Sequence, residues 1–442
     1  MNNKKTVLGI ELQDGIKRPL QDGIINLFDA YEPDKFYFSL NESMLSRHTL
    51  LLGGAGSGKT NVFNLMFSQL LSRRNSNDVF IVFDTKGDFY NNFGRESDIV
   101  LGNGKEYRKL SERWNLFDEV LADGMNPEDY EMNAREIAAG LFVGRGSESQ
   151  PFFSNAARDI FAHLIIYFIR QVEKNPALGR EQLTNKHLVS YIQKADVSKY
   201  IRVFSSYSDM RGMLSYFGDG SSNQALGVFS ELKNMLYDCF LGVFADDDSQ
   251  GRFSMRNTVK NKGGNTVFVE YDLTTGETMT PIYRLLIDLA LQEALGRGDK
   301  EEGNVYLILD ELKLLPKLQH LDDALNFGRS KGVKVIAGIQ SINQLFDIYG
   351  DAKGHVLAGG FSNLFAFHTS DNASRQYVSE VFGNNVIGYE YTGIDKSIEI
   401  REREGYAVET WDQMRLKTGE AIIGLSDVEV PFFFKFQEYR GN

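Results

Sequence analysis

The chain is poor in cysteine, in histidine clusters, in long apolar runs and in net positive charge. A single thiol, Cys239, excludes an internal disulfide and any zinc site built from several thiolates, and it fits a reducing compartment. The six histidines are scattered with no HExxH pair, which argues against a zinc hydrolase. The most apolar stretch, Phe161 to Ile169, is far shorter than the roughly 20 residues that span a bilayer. It reads as a buried helix. The opening, MNNKKTVLGIELQDG, lacks the apolar core of a signal peptide. The chain is expected to be soluble and cytoplasmic unless another subunit holds it at a membrane. Finally, 48 Lys+Arg against 60 Asp+Glu leave a formal charge of −12. That excludes a surface coated all over in basic residues and leaves room for a basic channel inside an acidic shell.

What is present describes an α/β protein. With 442 residues, 42% hydrophobic and 24% charged, the chain is globular and too long for one ordinary core. Residues 1–45 mix short apolar runs with turn signals at Asp14-Gly15 and Asp22-Gly23, predicting a small β-rich extension. From residue 46 an apolar strand, a glycine-rich loop, an amphipathic run (Asn61 to Leu71) and a second strand ending at Asp84 form a βαβ unit. A predominantly parallel sheet follows from that order. Between 134 and 245 helical periodicity dominates, predicting an all-α domain inserted into an α/β domain made of residues 46–133 and 246–442. The acidic run Asp246-Asp247-Asp248 near its exit reads as a solvated loop. Strand and helix then alternate again from Thr266 onward.

The chemistry starts at Gly53-Gly54-Ala55-Gly56-Ser57-Gly58-Lys59-Thr60, which fits GxxxxGK[ST] in full. Glycines let successive backbone N–H groups curl around phosphate oxygens, and the helix that follows adds its positive dipole end. Lys59 is expected to reach the β and γ oxygens, and the Thr60 hydroxyl to ligate Mg²⁺. The strand before the loop and the amphipathic helix after it are the context the motif requires. Val305-Tyr-Leu-Ile-Leu309 supplies a second apolar strand, ending in Asp310-Glu311. Asp310 is expected beside the Mg²⁺ shell and Glu311 as the base that orients the attacking water. Gln340, at the end of another apolar strand, is placed to sense the γ-phosphate. ATP with Mg²⁺ is the expected ligand pair, and an adjacent base suits an ATPase over a switch GTPase.

Several segments together resemble the TraD/TrwB-type coupling ATPases of conjugative type IV secretion, within the FtsK/HerA group of P-loop motors. They are Leu309-Asp-Glu-Leu-Lys-Leu-Leu-Pro-Lys-Leu318, Asp323-Ala-Leu-Asn-Phe-Gly-Arg329, Gly332 to Ser341 and Gln344-Leu-Phe-Asp-Ile-Tyr-Gly350. Phe83-Asp84-Thr-Lys86-Gly-Asp88-Phe, Trp114-Asn-Leu-Phe and Arg401-Glu-Arg-Glu-Gly405 add three shorter matches. The resemblance implies a RecA-like P-loop NTPase domain carrying an all-α domain. It also implies self-assembly into a ring, of six subunits, with ATP between neighbours. Arg329 occupies the position of the arginine that a neighbour delivers to the γ-phosphate; a charge at a helix end is the plainer reading of the same residue. Asp84, Lys86 and Asp88 sit at the end of the strand beside the phosphate-loop strand, and either touch nucleotide or order that loop.

The implied partners are DNA, of either strandedness, a membrane-anchoring subunit, a relaxase-like cargo protein and a type IV secretion channel. Family members usually begin with a transmembrane region, which this sequence does not show. It is therefore expected to work in the cytoplasm, or peripherally at the inner face of the membrane through a partner. A cytoplasmic DNA-translocating ATPase for processing, packaging or defence is the alternative role. A nucleotide-gated adaptor is the third, disfavoured by the intact hydrolytic residues. Arg252, Arg256, Lys260 and Lys262 are the one basic cluster that stands out as a candidate for phosphate-backbone contact.

Overall fold

The computed structural model describes residues 4–18, 22–146, 151–217, 222–245, 252–299, 301–392 and 398–441. The acidic run Asp246-Asp247-Asp248 lies outside them. Nine strands form one sheet: β1 (Thr49–Leu52), β2 (Val79–Asp84), β3 (Ile99–Gly102), β4 (Asn265–Glu270), β5 (Val305–Leu309), β6 (Val333–Ile339), β7 (Asn363–Phe367), β8 (Glu420–Gly424) and β9 (Phe432–Lys435). Their spatial order is β9-β8-β7-β1-β6-β5-β2-β4-β3. The seven strands from β7 to β3 run parallel, and β8 and β9 close one edge as an antiparallel pair. Parallel strands are covered on both faces, which is why β5 and β6 bury every residue; β5 reads as an unbroken apolar run and β6 as one interrupted only by Lys334.

The two faces hold separate cores. Leu51, Phe80, Ile308 and Ile336 share a core with the helix α1 (Lys59–Ser72), whose Phe63 and Phe67 both pack edge-on against Phe89; Phe38, Phe432 and Phe434 form a second aromatic group of the same core. Leu50, Leu52, Ile81 and Leu307 face a larger core shared with the helical part of the chain. Two short three-stranded sheets flank this body. One unites Lys17–Arg18, Ile25–Phe28 and Tyr37–Leu40; the other pairs Lys4–Leu8 with the long hairpin Asn384–Thr392/Ile398–Tyr406.

After β2 comes α2 (Asp88–Phe93), and after β3 the chain leaves the sheet. From Asn115 to Ala245 the described residues form only helices and loops: α3 (Leu116–Val120), α4 (Pro127–Phe142), α5 (Phe152–Lys174) and α6 (Asn223–Cys239) are the main ones. By length and composition α5 could cross a membrane, yet most of its apolar window is buried among its neighbours. The chain returns through α7 (Met255–Asn261) and runs on to α8 (Gly276–Leu295) and α9 (Leu321–Phe327).

Exit and return are fastened at one point. Arg113–Trp114 pairs in parallel with Arg252–Phe253. Beside that pair the fully buried Glu119 carboxylate accepts Trp114 Nε1 at 2.8 Å, Met255 N at 2.6 Å, Ser254 Oγ at 2.8 Å and Arg256 N at 3.0 Å. Four donors are what a buried carboxylate needs to offset lost hydration. The neighbouring basic residues serve the same junction. Arg256 is 7% exposed and pairs with Asp123 at 2.7 Å and Glu293 at 2.9 Å. Arg252 holds Asp118 at 2.8 Å, Lys260 holds Asp123 at 2.5 Å and Lys262 holds Glu301 at 2.5 Å. The cluster that stood out in the sequence as a nucleic-acid contact is thus spent on internal carboxylates. Its acidic partners lie far away in sequence and only folding brings them in.

A second fastening joins the segment after β5 to the helices. Asp288 on α8 accepts the backbone N–H of Gln319 at 2.8 Å and of His320 at 3.2 Å. The His320 ring lies 3.7 Å from Asp288 Oδ1 and 3.5 Å from Glu136 Oε1 on α4, ion-pair distances too long for hydrogen bonds. These two carboxylates, Asp288 foremost, raise the imidazole pKa to about 9. A raised folded pKa means a contribution that is whole below the unfolded value, about 6.5, and lost as pH climbs through about 9. In urea unfolding between pH 6 and 10, the wild type should be more stable than His320→Gln at low pH, and that excess should vanish above about pH 9.

Candidate nucleotide site

The parallel register brings the carboxyl ends of neighbouring strands to one edge. Leu309 pairs with Phe83 on one side and Ala337 on the other, and Ile339 pairs with Leu52. The residues just beyond those strands therefore share one mouth, the place where open α/β sheets bind ligands.

The phosphate loop is shaped by its glycines and its surroundings. Gly56 and Gly58 adopt φ of 72° and 109°, the left-handed region that side chains avoid. A Cβ on Gly53 would come within 2.5 Å of Phe367 Cβ, and one on Gly58 within 2.8 Å of Gly419 N. Backbone bonds brace the loop from both sides: Gly53 N donates to Ile339 O at 3.1 Å, Gly54 N to His368 O at 2.9 Å and Gly419 N to Ser57 O at 2.9 Å. Helix α1 starts at Lys59 with no side chain capping it, which leaves its first N–H groups for an anion. The Lys59 ammonium curls over the loop, donating to Gly53 O at 2.5 Å and Gly54 O at 3.2 Å.

A cavity of about 310 Å³ is lined by Gly54, Ala55, Gly56, Ser57, Gly58, Lys59 and Thr60 on one side and by Thr85, Lys86, Asp310, Glu311 and Gln340 on the other. Gln340 Nε2 donates to Glu311 Oε2 at 2.6 Å, and Thr85 Oγ1 donates to Asp310 Oδ2 at 2.8 Å. Burial dominates the electrostatics. It lowers the Lys59 pKa against the pull of Glu311 and Asp310, and it raises both carboxyls above their ordinary values. Glu311 Oε1 and Ser57 Oγ are buried with no partner among the described residues. A lysine and two carboxyls whose charged forms burial disfavours, with two orphaned oxygens beside them, suit a phosphate with a hard divalent ion. The Thr60 hydroxyl and the Asp310 carboxylate are the oxygen donors present to hold that ion.

Of the remaining candidate residues, Lys86 alone lines the cavity. Asp84 is fully buried and accepts the backbone N–H groups of Lys86 (3.1 Å), Gly87 (2.9 Å), Phe89 (2.8 Å) and Tyr90 (3.2 Å). It orders the turn into α2 and does not face the cavity. Asp88 is the first residue of α2, outside the cavity wall, whereas Lys86 is exposed on that wall. Gly53 lies beneath the loop. Arg329, exposed, precedes β6, at the opposite edge of the sheet from Gln340, which follows it. Seven residues of parallel strand separate the two by about 23 Å.

Three contributors were not singled out in the sequence. Thr85 could have been found: it follows a strand that pairs with the Asp310 strand, and a hydroxyl there meets the carboxylate. Thr418 and Gly419, which touch the loop at Gly56 O (3.3 Å) and Ser57 O (2.9 Å), carry no local signal. A second cavity, about 500 Å³, adjoins the first and shares Thr85 and Lys86 with it; Tyr107, Leu273 and Glu270 also line it. Glu270 is 2% exposed, its Oε1 has no partner among the described residues, and burial lifts its pKa to about 9.

Residues 37–405 match the sequence model of the type IV secretion-system coupling protein DNA-binding domain, far more than half of the chain. The chain belongs to this family. Coupling protein TraD of Escherichia coli K12 is 23% identical over 306 residues, covering 68% of this chain and 39% of TraD. Protein VirD4 of Agrobacterium fabrum is 24% identical over 352 residues, covering 76% of this chain and 49% of VirD4. The chain thus spans less than half the length of these coupling proteins. Among solved structures, TrwBdeltaN70 in complex with sulphate superposes with a TM-score of 0.75 at 20% identity, over 99% of this chain and 95% of that one. TrwB in complex with ADP and Mg²⁺ gives a TM-score of 0.69 at 21% identity, over 91% and 88%. The fold of this coupling-protein domain is accordingly the RecA-like P-loop NTPase fold with its associated helices.

In this coupling-protein site the Thr85 hydroxyl is the one donor among the described residues that meets Asp310 Oδ2. Thr85→Val keeps the shape and removes that donor, and should lower unfolding free energy by about 1.5–3 kcal/mol in urea titrations, the worth of a hydrogen bond to a charged group.

Proposed function

We propose that this chain is an ATP-hydrolysing ring motor of the coupling type, which delivers DNA, with a relaxase-like protein attached, to a type IV secretion channel. The observation that carries the reading is the single cavity in which the phosphate loop faces Asp310, Glu311 and Gln340. Membership of a DNA-binding coupling family supports the DNA substrate, and the ADP–Mg²⁺ complex of TrwB supports the ligand pair.

On this reading the loop amides, Lys59 and the N-terminus of α1 bind the phosphates, and Thr60 with Asp310 holds Mg²⁺. The ion offsets charge on the phosphates when bound. Glu311, already polarised by Gln340, accepts a proton from the attacking water, and its burial-raised pKa makes it a better base than an exposed glutamate. Gln340 then reports the γ-phosphate to β6. Arg329 completes a neighbour's site: it sits on the far edge of its own sheet, is exposed, and has no side-chain partner among the described residues. A guanidinium without an internal carboxylate is free to meet phosphate charge on another subunit. A membrane-anchoring subunit would bring the ring to the inner face of the membrane.

Lys59→Ala should abolish hydrolysis and cut ATP affinity while leaving the unfolding midpoint close to wild type. Glu311→Gln should bind ATP yet hydrolyse it about 10²–10⁴-fold more slowly; wild-type turnover would remove Glu311 as the base. For a motor, the specific ATPase rate should rise cooperatively with protein concentration and rise again on adding DNA. A flat rate in both experiments would leave only a nucleotide-gated adaptor.

Arg329→Ala should bind nucleotide normally and lose about 10³-fold or more in assembled turnover. Mixed with Glu311→Gln it should regain activity, because such rings contain interfaces with an intact Glu311 on one side and an intact Arg329 on the other. No regain at any mixing ratio would end the assignment across subunits.

A further inference from the structure

The cavity beside the nucleotide pocket has no role in the chemistry above. It lies where β2, β4 and β3 end side by side: Glu270, the last residue of β4, pairs with Asp84 on one strand and Gly102 on the other. Two glycines make room for it. A Cβ on Gly102 would come within 2.8 Å of Glu270 Cβ and 3.0 Å of Tyr107 Cβ, and one on Gly87 would collide with the Tyr107 hydroxyl. The Tyr107 side chain is thereby laid beside Glu270, and Tyr271 and the exposed Leu273 extend the wall.

Three properties limit what fills this cavity. Glu270 is buried, and its Oε1 has no partner among the described residues. Burial foremost, with the charge of Asp84 next, keeps its carboxyl protonated at neutral pH, so Oε1 can give or take one hydrogen bond. Tyr107, Tyr271 and Leu273 offer apolar surface to a flat ring. The charges are mixed: Lys86, Lys105 and Arg108 line the cavity with Glu106 and Asp272. Arg108 is spent on Asn103 O at 2.9 and 3.2 Å, and Asp272 on Thr274 N at 2.9 Å and the hydroxyls of Thr274 and Thr275. Such a balance favours an occupant with little charge of its own.

We propose that this cavity binds a nucleobase, its edge against the Glu270 carboxyl and its face against the wall of Tyr107 and Leu273. A base is planar and uncharged, and its edge alternates donors and acceptors that a protonated carboxyl can meet. Its faces stack on aromatic side chains. A peptide amide would satisfy Oε1 but has no flat apolar face to set on the wall. A volume of about 500 Å³ is in the range of small-molecule sites. Only Thr85 and Lys86 separate such a base from the phosphate cavity, and Thr85 bonds to Asp310. A DNA strand and a free nucleotide both present this chemistry. The strand as source rests on the reading of this chain as a DNA motor; the base pocket itself does not.

The test uses the full chain with ADP and Mg²⁺ saturating the phosphate loop. Adenosine should bind, and a short single-stranded oligonucleotide should bind at least about tenfold more tightly than its abasic counterpart. Glu270→Leu should abolish adenosine binding and shrink the preference for bases to within about threefold. Leu273→Asp, on the exposed rim where folding is not at stake, should do the same. An oligonucleotide carrying 5-iodouracil should photocross-link to Tyr107 or Tyr271, and adenosine should compete. If adenosine binds the wild type and not Glu270→Leu, yet no strand cross-links in the cavity, the pocket stands and a free nucleotide is its source. If strands bind but both variants keep the wild-type preference and cross-links map elsewhere, the DNA reading stands and the pocket is overturned. If adenosine does not bind and base-bearing and abasic strands bind alike, the pocket is likewise overturned. If no strand binds at all, the DNA reading falls, and adenosine alone decides the pocket.

Discussion

The site depends on one constraint, the parallel pairing of β5 between β2 and β6. Leu309 opposite Phe83 and Ala337 fixes where Asp310 and Glu311 emerge, and everything else about the pocket follows from that height. Thr85 emerges one step beyond the paired strand end and meets Asp310. Gln340 emerges likewise and meets Glu311. A one-residue slip would turn these side chains to the other face and bury the acids in the apolar core. Held in register, they lie within a partly desolvated cleft where burial weakens the ionised form of both the lysine and the carboxyls. An anion and a cation together would offset what burial takes from these groups, which is why the cleft suits a metal-bound phosphate.

The helical region is tied to the sheet by polar groups as well as by packing. Glu119 holds both strands of the neck, with Arg256 beside it bonded to Asp123 and Glu293. The second tie runs from the segment after Glu311 through His320 to Glu136 and Asp288. Displacement of that segment therefore loads α4 and α8 directly. Buried, multiply satisfied carboxylates resist shear better than apolar contacts, because sliding them breaks bonds that water cannot replace. The geometry gives the nucleotide edge a stiff mechanical connection to the helices.

β6 carries Gln340 at one end and leads in from Arg329 at the other. On the proposed reading, the pocket of one copy and the arginine it would offer a neighbour therefore lie at opposite edges of the sheet.

Local patterns were enough for the phosphate loop, the Asp310–Glu311 strand end and the parallel sheet; the helical stretch expected from 134 starts earlier, with Leu116–Val120. In each case the signal is carried by adjacent residues: glycines that need positive φ, apolar runs buried on two faces, acids that end them. The same reasoning left Asp84 among the candidates for nucleotide, because a strand-end acid looks alike whether it faces a ligand or four backbone amides. It also offered Arg252, Arg256, Lys260 and Lys262 to nucleic acid, because Asp118, Asp123, Glu293 and Glu301 are distant in sequence. The bracing of the loop by Gly419, the pairing of Lys4–Leu8 with a hairpin near residue 390, and the cavity beside Lys86 had no local trace. The sequence by itself determined which chemistry the chain carries, since that chemistry is written in residue types and short spacings. Only the tertiary structure decided which charges are free to use it, since a charge is neutralised by whatever folding places beside it.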